Sequence, residues 1–510
     1  MRRPYFLLAA ITLLLSCSVF RPGGDDHRLE VIYIQVNDVY EIIPLAAGRE
    51  GGMARLASLK KNFLRENPNT FMVMAGDFLS PSVYNSIRHD GVPVRGRQMV
   101  DAMNAAGMDF AVFGNHEFDI REQELQARID ESRFQWISTN TFHMTGGKAV
   151  PFVKRRESGS EVIPVTFIQQ LRDADGTVAR IGYIGLTLPF TRVPYVSYAD
   201  LLPAAISAYN MLKDSVDAIV AITHQTVEDD RKLAAALPGL ALIMGGHEHD
   251  MRLLREGNVY ITKAHSNARS AFILKMRVNT RRNKSSVVPD LVYVDESIPL
   301  DSATNVVVGK WVDIAEKNFS SLGFDASKVV LAQGDSLDGR EGITRNQSTN
   351  LTRLIAASVH HAAPAADVAI FNAGSIRVDD ILHPPVTQYD LIRTLPYGGK
   401  ILEVDMKGSL LIRILDQGMK NRGSGGFLHF TPVIFENGHW QIGQEALDPD
   451  RVYRVAMNDY LLTGQETQME FLTPSNPGIV AVHPAPHGPL GVREDIRLAM
   501  IDYLSKQSRE

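Results

Sequence analysis

Leu240-Ala241-Leu242-Ile243-Met244-Gly245-Gly246-His247-Glu248-His249 runs from an apolar stretch straight into two glycines and a His-Glu-His turn. Such a run reads as a buried strand that stops sharply, with imidazoles placed just beyond its carboxyl end. Four other apolar runs end in the same manner. Leu29 to Val36 stops at Asn37-Asp38-Val39-Tyr40, Thr70 to Ala75 at Gly76-Asp77, Asp109 to Phe113 at Gly114-Asn115-His116-Glu117, and Asp217 to Ile222 at Thr223-His224. With Arg180 to Leu186, these runs alternate with polar turns and helical stretches, the pattern of an α/β fold whose strands are covered on both faces. Open α/β sheets bind ligands beyond the carboxyl ends of their strands, so the five clusters should converge on one edge.

Any one of these clusters occurs by chance. Together they set carboxylates, an amide oxygen and imidazoles on one edge, a donor set that suits Mn, Fe or Zn better than Ca or Mg. Their order along the chain resembles that of the calcineurin-like metallophosphoesterases, and the separate second half narrows the resemblance to the 5'-nucleotidase family, which includes UDP-sugar hydrolases and 2',3'-cyclic phosphodiesterases. The resemblance implies an N-terminal β-sandwich with flanking helices that holds two divalent transition-metal ions (Mn, Zn, Fe or Co). It implies that Asp77 bridges the ions, that Asp38 and His249 join it at the first, and that Asn115, His224 and His247 complete the second. It also implies that His116 does not bind metal but stabilises or protonates the reacting group, oriented by Asp119; the alternative for Asp119 is a helix N-cap. Where the family has Asp-x-His, this chain has Asp38-Val39-Tyr40, and Tyr40 is left with three roles: metal ligand, hydrogen-bond partner or packing residue. His265 has no motif around it and reads as structural.

The pattern changes near Pro299, where Val306 to Leu322 carries apolar residues at helical spacing and reads as a linking helix. Beyond it, candidate strands at Val329 to Ala332, Val368 to Phe371 and Lys400 to Met406 and a final helix from Val492 to Leu504 suggest a second unit. The boundaries expected are 1–17 for a signal peptide, 18–28 for a linker, 29–299 for the metallophosphoesterase domain, 300–326 for the linking helix and 327–510 for an α+β substrate-binding domain. By resemblance, Arg345, Asn372 and Arg377 reach the substrate, Tyr397 in Leu395-Pro396-Tyr397-Gly398 stacks on a base, and Gly426-Phe427 belongs to a glycine-rich loop at the ligand. The family continues after Asn458-Asp459-Tyr460 to a Gly-Gly-Asp-Gly-aromatic segment, but this chain has Thr463-Gly464-Gln465-Glu466-Thr467, so one side of the base clamp should be missing or rebuilt.

The formal net charge of −5 argues against binding nucleic-acid polymers and does not exclude small anionic substrates. The resemblance implies a small phosphate ester as partner, and a monomer is expected. Arg2 and Arg3 ahead of the apolar run Tyr5 to Leu15 read as an export signal. Leu14-Leu15-Ser16-Cys17 resembles a lipobox, which implies a lipidated Cys17 that anchors the chain to a bacterial membrane, with Ser18 favouring the outer membrane. Cys17 is the sole cysteine, so no intrachain disulfide forms. The leading expectation is hydrolysis of nucleoside 5'-monophosphates or related nucleotides. A sulfur-ester hydrolase and a surface-binding lipoprotein are the alternatives open at this point.

Overall fold

The computed structural model describes residues 25–485 and 491–507, so Cys17 and the export signal lie outside the described residues. Two six-stranded sheets build the N-terminal half. The first runs in the order Lys284–Tyr293, Ser270–Asn279, Arg28–Val36, Thr70–Met74, Phe110–Ala111 and Gln135–Trp136. The second runs Thr166–Arg172, Val178–Thr187, Ala218–His224, Leu242–Gly246, Val259–Lys263 and Arg252–Glu256. Within each sheet four neighbouring strands are parallel; antiparallel strands flank them on both sides in the second sheet and on one side in the first, whose other edge is the parallel strand Gln135–Trp136.

Period-2 alternation along Arg28–Val36 explains the layering. Leu29, Val31 and Tyr33 point into a core shared with Ile181, Val220, Ile222 and Met244 of the second sheet. Ile32, Ile34 and Val36 point the other way, onto a cluster with Leu56 of helix Met53–Glu66, Met99 of helix Arg97–Ala106 and Trp311 of helix Ser302–Ser321. The two sheets therefore make a sandwich with helices outside, and the long helix Ser302–Ser321 packs on the first sheet before the chain enters its second half. That helix starts at the N-cap Asp301, whose side chain accepts from Thr304 N at 3.0 Å.

The second half centres on a five-stranded sheet ordered Leu428–Thr431, Val368–Asn372, Val452–Asn458, Ile401–Lys407 and Ile479–His483. Helices Asn350–Ala362 and Ile496–Gln507 cover one face through Leu351, Ile355, Ala499 and Met500, and helix Gly408–Lys420 covers the other through Leu411, Ile414 and Leu415. The final helix opens at Ile496, four residues after the sequence pattern places it, because 491–495 form a turn.

Candidate metal centre and adjoining pocket

The parallel strands of both sheets end side by side, and the loops that follow them build one buried cluster. Asp38, Asp77 and His224 offer ligand atoms that all lie within 4.8 Å of one another. All three are at most 1% exposed. The backbone around them is forced: Asp38, Asp77, His247 and His249 have φ of 53°, 57°, 95° and 60°, conformations that L-residues adopt only where the surroundings impose them. A side chain at Gly114 would put its Cβ 2.1 Å from Asp77 Oδ1, so glycine there is what lets the Asn115 turn close over the carboxylate.

Asp77 Oδ2 lies 3.1 Å from His224 Nε2 and 3.3 Å from the Tyr40 hydroxyl, while its Oδ1 accepts from His116 N at 2.8 Å. Asp38 Oδ1 is 3.3 Å from His249 Nε2, and its Oδ2 accepts from His247 N at 2.9 Å and from Asn37 Nδ2 at 2.7 Å. His224 makes its Nδ1 contact with Ala75 O at 2.8 Å, which leaves Nε2 facing the centre. Among the described residues, His224 Nε2 and Asn115 Oδ1 are buried with no hydrogen-bond partner. Two orphaned buried polar atoms beside two buried carboxylates are costly unless a cation takes them up, so these residues fit divalent metal ions.

The charges agree with that fit. Burial works against ionising Asp77, yet the charges of His224 and His116 hold its pKa below the usual carboxylate range. Burial alone would make His224 less basic, but Asp77 and Asp38 carry it to about 9. Burial and the charge of His224 push His247 down to about 4, which keeps a neutral imidazole available. Tyr40 does more than pack. Its hydroxyl is 2.9 Å from His249 Nε2 and donates at 3.4 Å to Asp38 Oδ1, while burial and the charges of Asp77 and Asp38 push its pKa well above that of an ordinary phenol.

His116 stands at the rim, its Nδ1 2.6 Å from Asp119 Oδ2. Burial opposes its protonation, but Asp77 and Asp119 raise its pKa to about 9. Asp119 is not a helix N-cap; Arg121 occupies that position for helix Glu122–Glu131. His265 is held by Ser270 Oγ at 2.9 Å, a structural contact.

Two residues that sequence reasoning passed over hold the cluster in shape. Glu117, fully buried, accepts from the backbone N–H groups of Asp77, Phe78, Leu79 and Gly114, and so ties two ligand loops together. Lys263, also fully buried, donates to Gln225 O at 2.6 Å and Gly246 O at 2.7 Å and pairs with Asp230 at 2.9 Å and Glu248 at 2.5 Å, fixing the loop that carries His247 and His249. Their signals were present, in the Glu after Asn115-His116 and the Lys that ends Val259–Lys263, but each was local and chemically ambiguous.

In the second half a cavity of about 480 Å³ is lined by Arg345, Asn372, Arg377, Tyr397, Asn458, Tyr460 and Glu466. Tyr397 is 61% exposed and Tyr460 40%, so two aromatic faces stand open on it. The second face thus comes from Tyr460, three residues before the point where the sequence pattern breaks. Phe427 is a correction: it is buried edge-on to His429 at 5.3 Å, and Gly425 lines the cavity instead. Gly426 lies behind the wall, where a Cβ would come within 2.6 Å of Asn421 and 3.0 Å of Glu466. Arg345 pairs with Glu341 at 2.6 Å, and Arg377 lies 5.5 Å from the centre of the Tyr397 ring. Glu466 can only accept when ionised, so it draws Asn372 Nδ2 to 2.6 Å; Asn372 Oδ1 then receives Asn458 Nδ2 at 3.0 Å. Asn458 Oδ1 is left buried without a partner among the described residues.

Two family models match the chain: the calcineurin-like phosphoesterase over residues 31–251 and the 5'-nucleotidase C-terminal domain over residues 330–473. The chain belongs to the two-domain 5'-nucleotidase family. It is a metal-dependent phosphoric ester hydrolase. It is 25% identical over 470 residues to a human 5'-nucleotidase, covering 82% of this chain and 77% of that one. A 5'-nucleotidase precursor from Thermus thermophilus shares the fold with a TM-score of 0.65 at 20% identity, over 94% of this chain and 97% of that one. A sulfate thiohydrolase from the same organism shares it with a TM-score of 0.61 at 15% identity, over 95% of each chain. No helix among the described residues is long and apolar enough to cross a membrane.

Proposed function

We infer that the chain hydrolyses nucleoside 5'-monophosphates or closely related nucleotides at a centre of two transition-metal ions (Mn, Zn, Fe or Co). The observation that carries this reading is the position of Arg377, which lines both the aromatic cavity of the second half and a cleft beside Tyr40 and His249. A ligand with its base between Tyr397 and Tyr460 would present its phosphate to a guanidinium that faces the metal centre. Asn458 Oδ1, unpaired at the cavity floor, would accept from an N–H or O–H of the base or sugar.

Asp77 would bridge, with Asp38, His249 and the Tyr40 hydroxyl to one side and Asn115, His224 and His247 to the other. When bound, the ions polarise the phosphoryl group and activate water. His116, protonated through Asp77 and Asp119, would place positive charge against the oxygens that gain charge in the transition state. The cleft between Arg377 and the cluster holds about 30 Å³, room for one or two waters. An ester reaching the centre from that side therefore needs the two halves to part and close again.

The test is phosphate release from a panel, after chelation and re-addition of Mn, Zn, Co or Mg. The panel holds nucleoside 5'-monophosphates, a 2',3'-cyclic nucleotide, a UDP-sugar and an aryl phosphate. Metal-dependent turnover should be greatest on the 5'-monophosphates; silence with every metal and ester would sink the reading. The chain would act as an exported monomer anchored through Cys17, a reading supported by the Arg2-Arg3 and Leu14-to-Cys17 motifs. Fatty-acid labelling that survives Cys17→Ala would disprove the anchor.

A further inference from the structure

The histidines of the metal centre differ in what holds their outer ring nitrogen. His224 gives its Nδ1 to Ala75 O at 2.8 Å, a partner in its own half of the chain. His249 gives its Nδ1 to Asp379 Oδ2 at 3.0 Å, and Asp379 belongs to the C-terminal half. We propose that Asp379 is a positioning residue for the metal ligand His249, so that docking of the C-terminal half and loading of the metal site at His249 are coupled. The proposal rests on the reading of His249 as a ligand.

A histidine that ligates through Nε2 must carry its proton on Nδ1, and the acceptor at Nδ1 sets the ring's tautomer, orientation and basicity. His249 Nε2 already faces the cluster, 3.3 Å from Asp38 Oδ1 and 2.9 Å from the Tyr40 hydroxyl. Asp379 is itself fixed, because its Oδ1 accepts from Glu341 N at 2.6 Å. Its neighbour Asp380 ion-pairs with Arg269 of the N-terminal half and with Arg393 at 3.2 Å. Two further contacts cross the boundary nearby: Tyr389 donates to Glu41, and Arg49 Nη2 donates to Pro384 O at 3.2 Å. Asp379 therefore reaches His249 only while this set of contacts is made. Parting the halves would remove the acceptor from His249 and leave that of His224 in place.

Two consequences follow. One metal equivalent should be indifferent to Asp379 and the other should depend on it. By reciprocity of linked equilibria, a metal that binds better in the docked arrangement must favour docking.

The experiment titrates Co(II) into the chelated full chain, reading the visible bands of the bound ion and its competition with a chelator. Asp379→Ala should weaken one of the two equivalents by about 10- to 100-fold, the usual loss when an outer-sphere partner is removed, and leave the other unchanged. Asp379→Asn, which keeps the shape and an acceptor oxygen but not the charge, should fall between. Small-angle scattering should show Co(II) narrowing the spread of the wild-type halves and failing to do so for Asp379→Ala. Asp77→Ala serves as the reference. If it loses Co(II) while Asp379→Ala and Asp379→Asn bind both equivalents as wild type does, the coupling is wrong and the metal centre stands. If Asp77→Ala still binds both, the metal centre itself is misread. Should the alanine variant fail to fold, the asparagine variant carries the test.

Discussion

The metal centre and the aromatic cavity solve opposite problems. At the centre Asp38, Asp77, Asn115 and His224 are buried, Asp38, Asp77, His247 and His249 sit on backbone of positive φ, and Glu117 and Lys263 tie the loops down. In the cavity the faces that would meet a base are left exposed, and only the floor of Asn372, Asn458 and Glu466 is buried. Phosphoryl chemistry needs donors fixed before substrate arrives, because reorganisation at the moment of reaction raises the barrier. Recognition needs a surface that can be filled and emptied, so its aromatic area is kept available to the ligand. Damage to the centre should therefore appear in turnover, and damage to the cavity in KM.

Asp77→Ala breaks that contrast most severely. With Asp77 bridging the ions as proposed, its loss should remove several kcal/mol of charge stabilisation, a fall in turnover on the order of a thousandfold or more. Metal content, read by elemental analysis, should fall with it; retained metal with lost turnover would assign Asp77 to chemistry alone. His116→Ala is the next largest. Turnover should drop about 10²- to 10⁴-fold with metal content unchanged, since the ring bonds Asp119 and stands at the rim. Full activity in that variant would remove His116 from the mechanism.

Tyr397→Ala and Tyr460→Ala sharpen the other side of the comparison. Each stacked face contributes about 1 to 3 kcal/mol, so KM for nucleotides should rise roughly 5- to 150-fold for each variant. The kcat for an aryl phosphate, which does not need both faces, should hardly move. An unchanged nucleotide KM in Tyr460→Ala would mean the cavity has one stacking face.

These two regions were also unequally legible. The cluster of candidate metal ligands could be read because each follows an apolar run, and parallel strands bring such ends together whatever the intervening lengths. The cavity comes from loops with no such rule. Phe427 belongs to a glycine-rich loop yet faces inward, because His429 and Phe371 supply an aromatic core behind it. Tyr460 is not marked by the motif as a cavity aromatic, because the resemblance sets the aromatic after Gly464, where the chain carries Glu466 and turns it into a polar floor. Asp379 was out of reach altogether: it lies 130 residues from His249 in sequence, and only the docking of the two halves creates the contact.

A last expected effect concerns stability rather than kinetics, and it separates the halves by pH. His429, 2% exposed behind the cavity wall, donates from Nε2 to Thr344 O at 2.8 Å and stacks on Phe371 at 5.2 Å. Burial holds its pKa at about 4, against 6.5 for the free side chain. Between those values the unfolded chain binds a proton that the folded one refuses. The stability His429 contributes is therefore complete above pH 6.5 and is lost as pH falls toward 4, by about 3 kcal/mol in all. His116 and His224 have the opposite sign in the metal-free protein, since their raised values favour the fold in acid and that contribution fades as pH rises through about 9. His247 in the N-terminal half, held at about 4 by burial and the charge of His224, has the sign of His429, but there His116 and His224 oppose it; mild acid should then loosen the C-terminal half before the N-terminal one. Hydrogen exchange resolved by peptide and corrected for intrinsic rates, at pH 7 and pH 4.5 without metal, measures this directly. His429→Phe keeps the ring packing but leaves Thr344 O without its donor, so it should lower stability at neutral pH while flattening the acid slope. A slope as steep as that of wild type would show that another group in the C-terminal half carries the acid response.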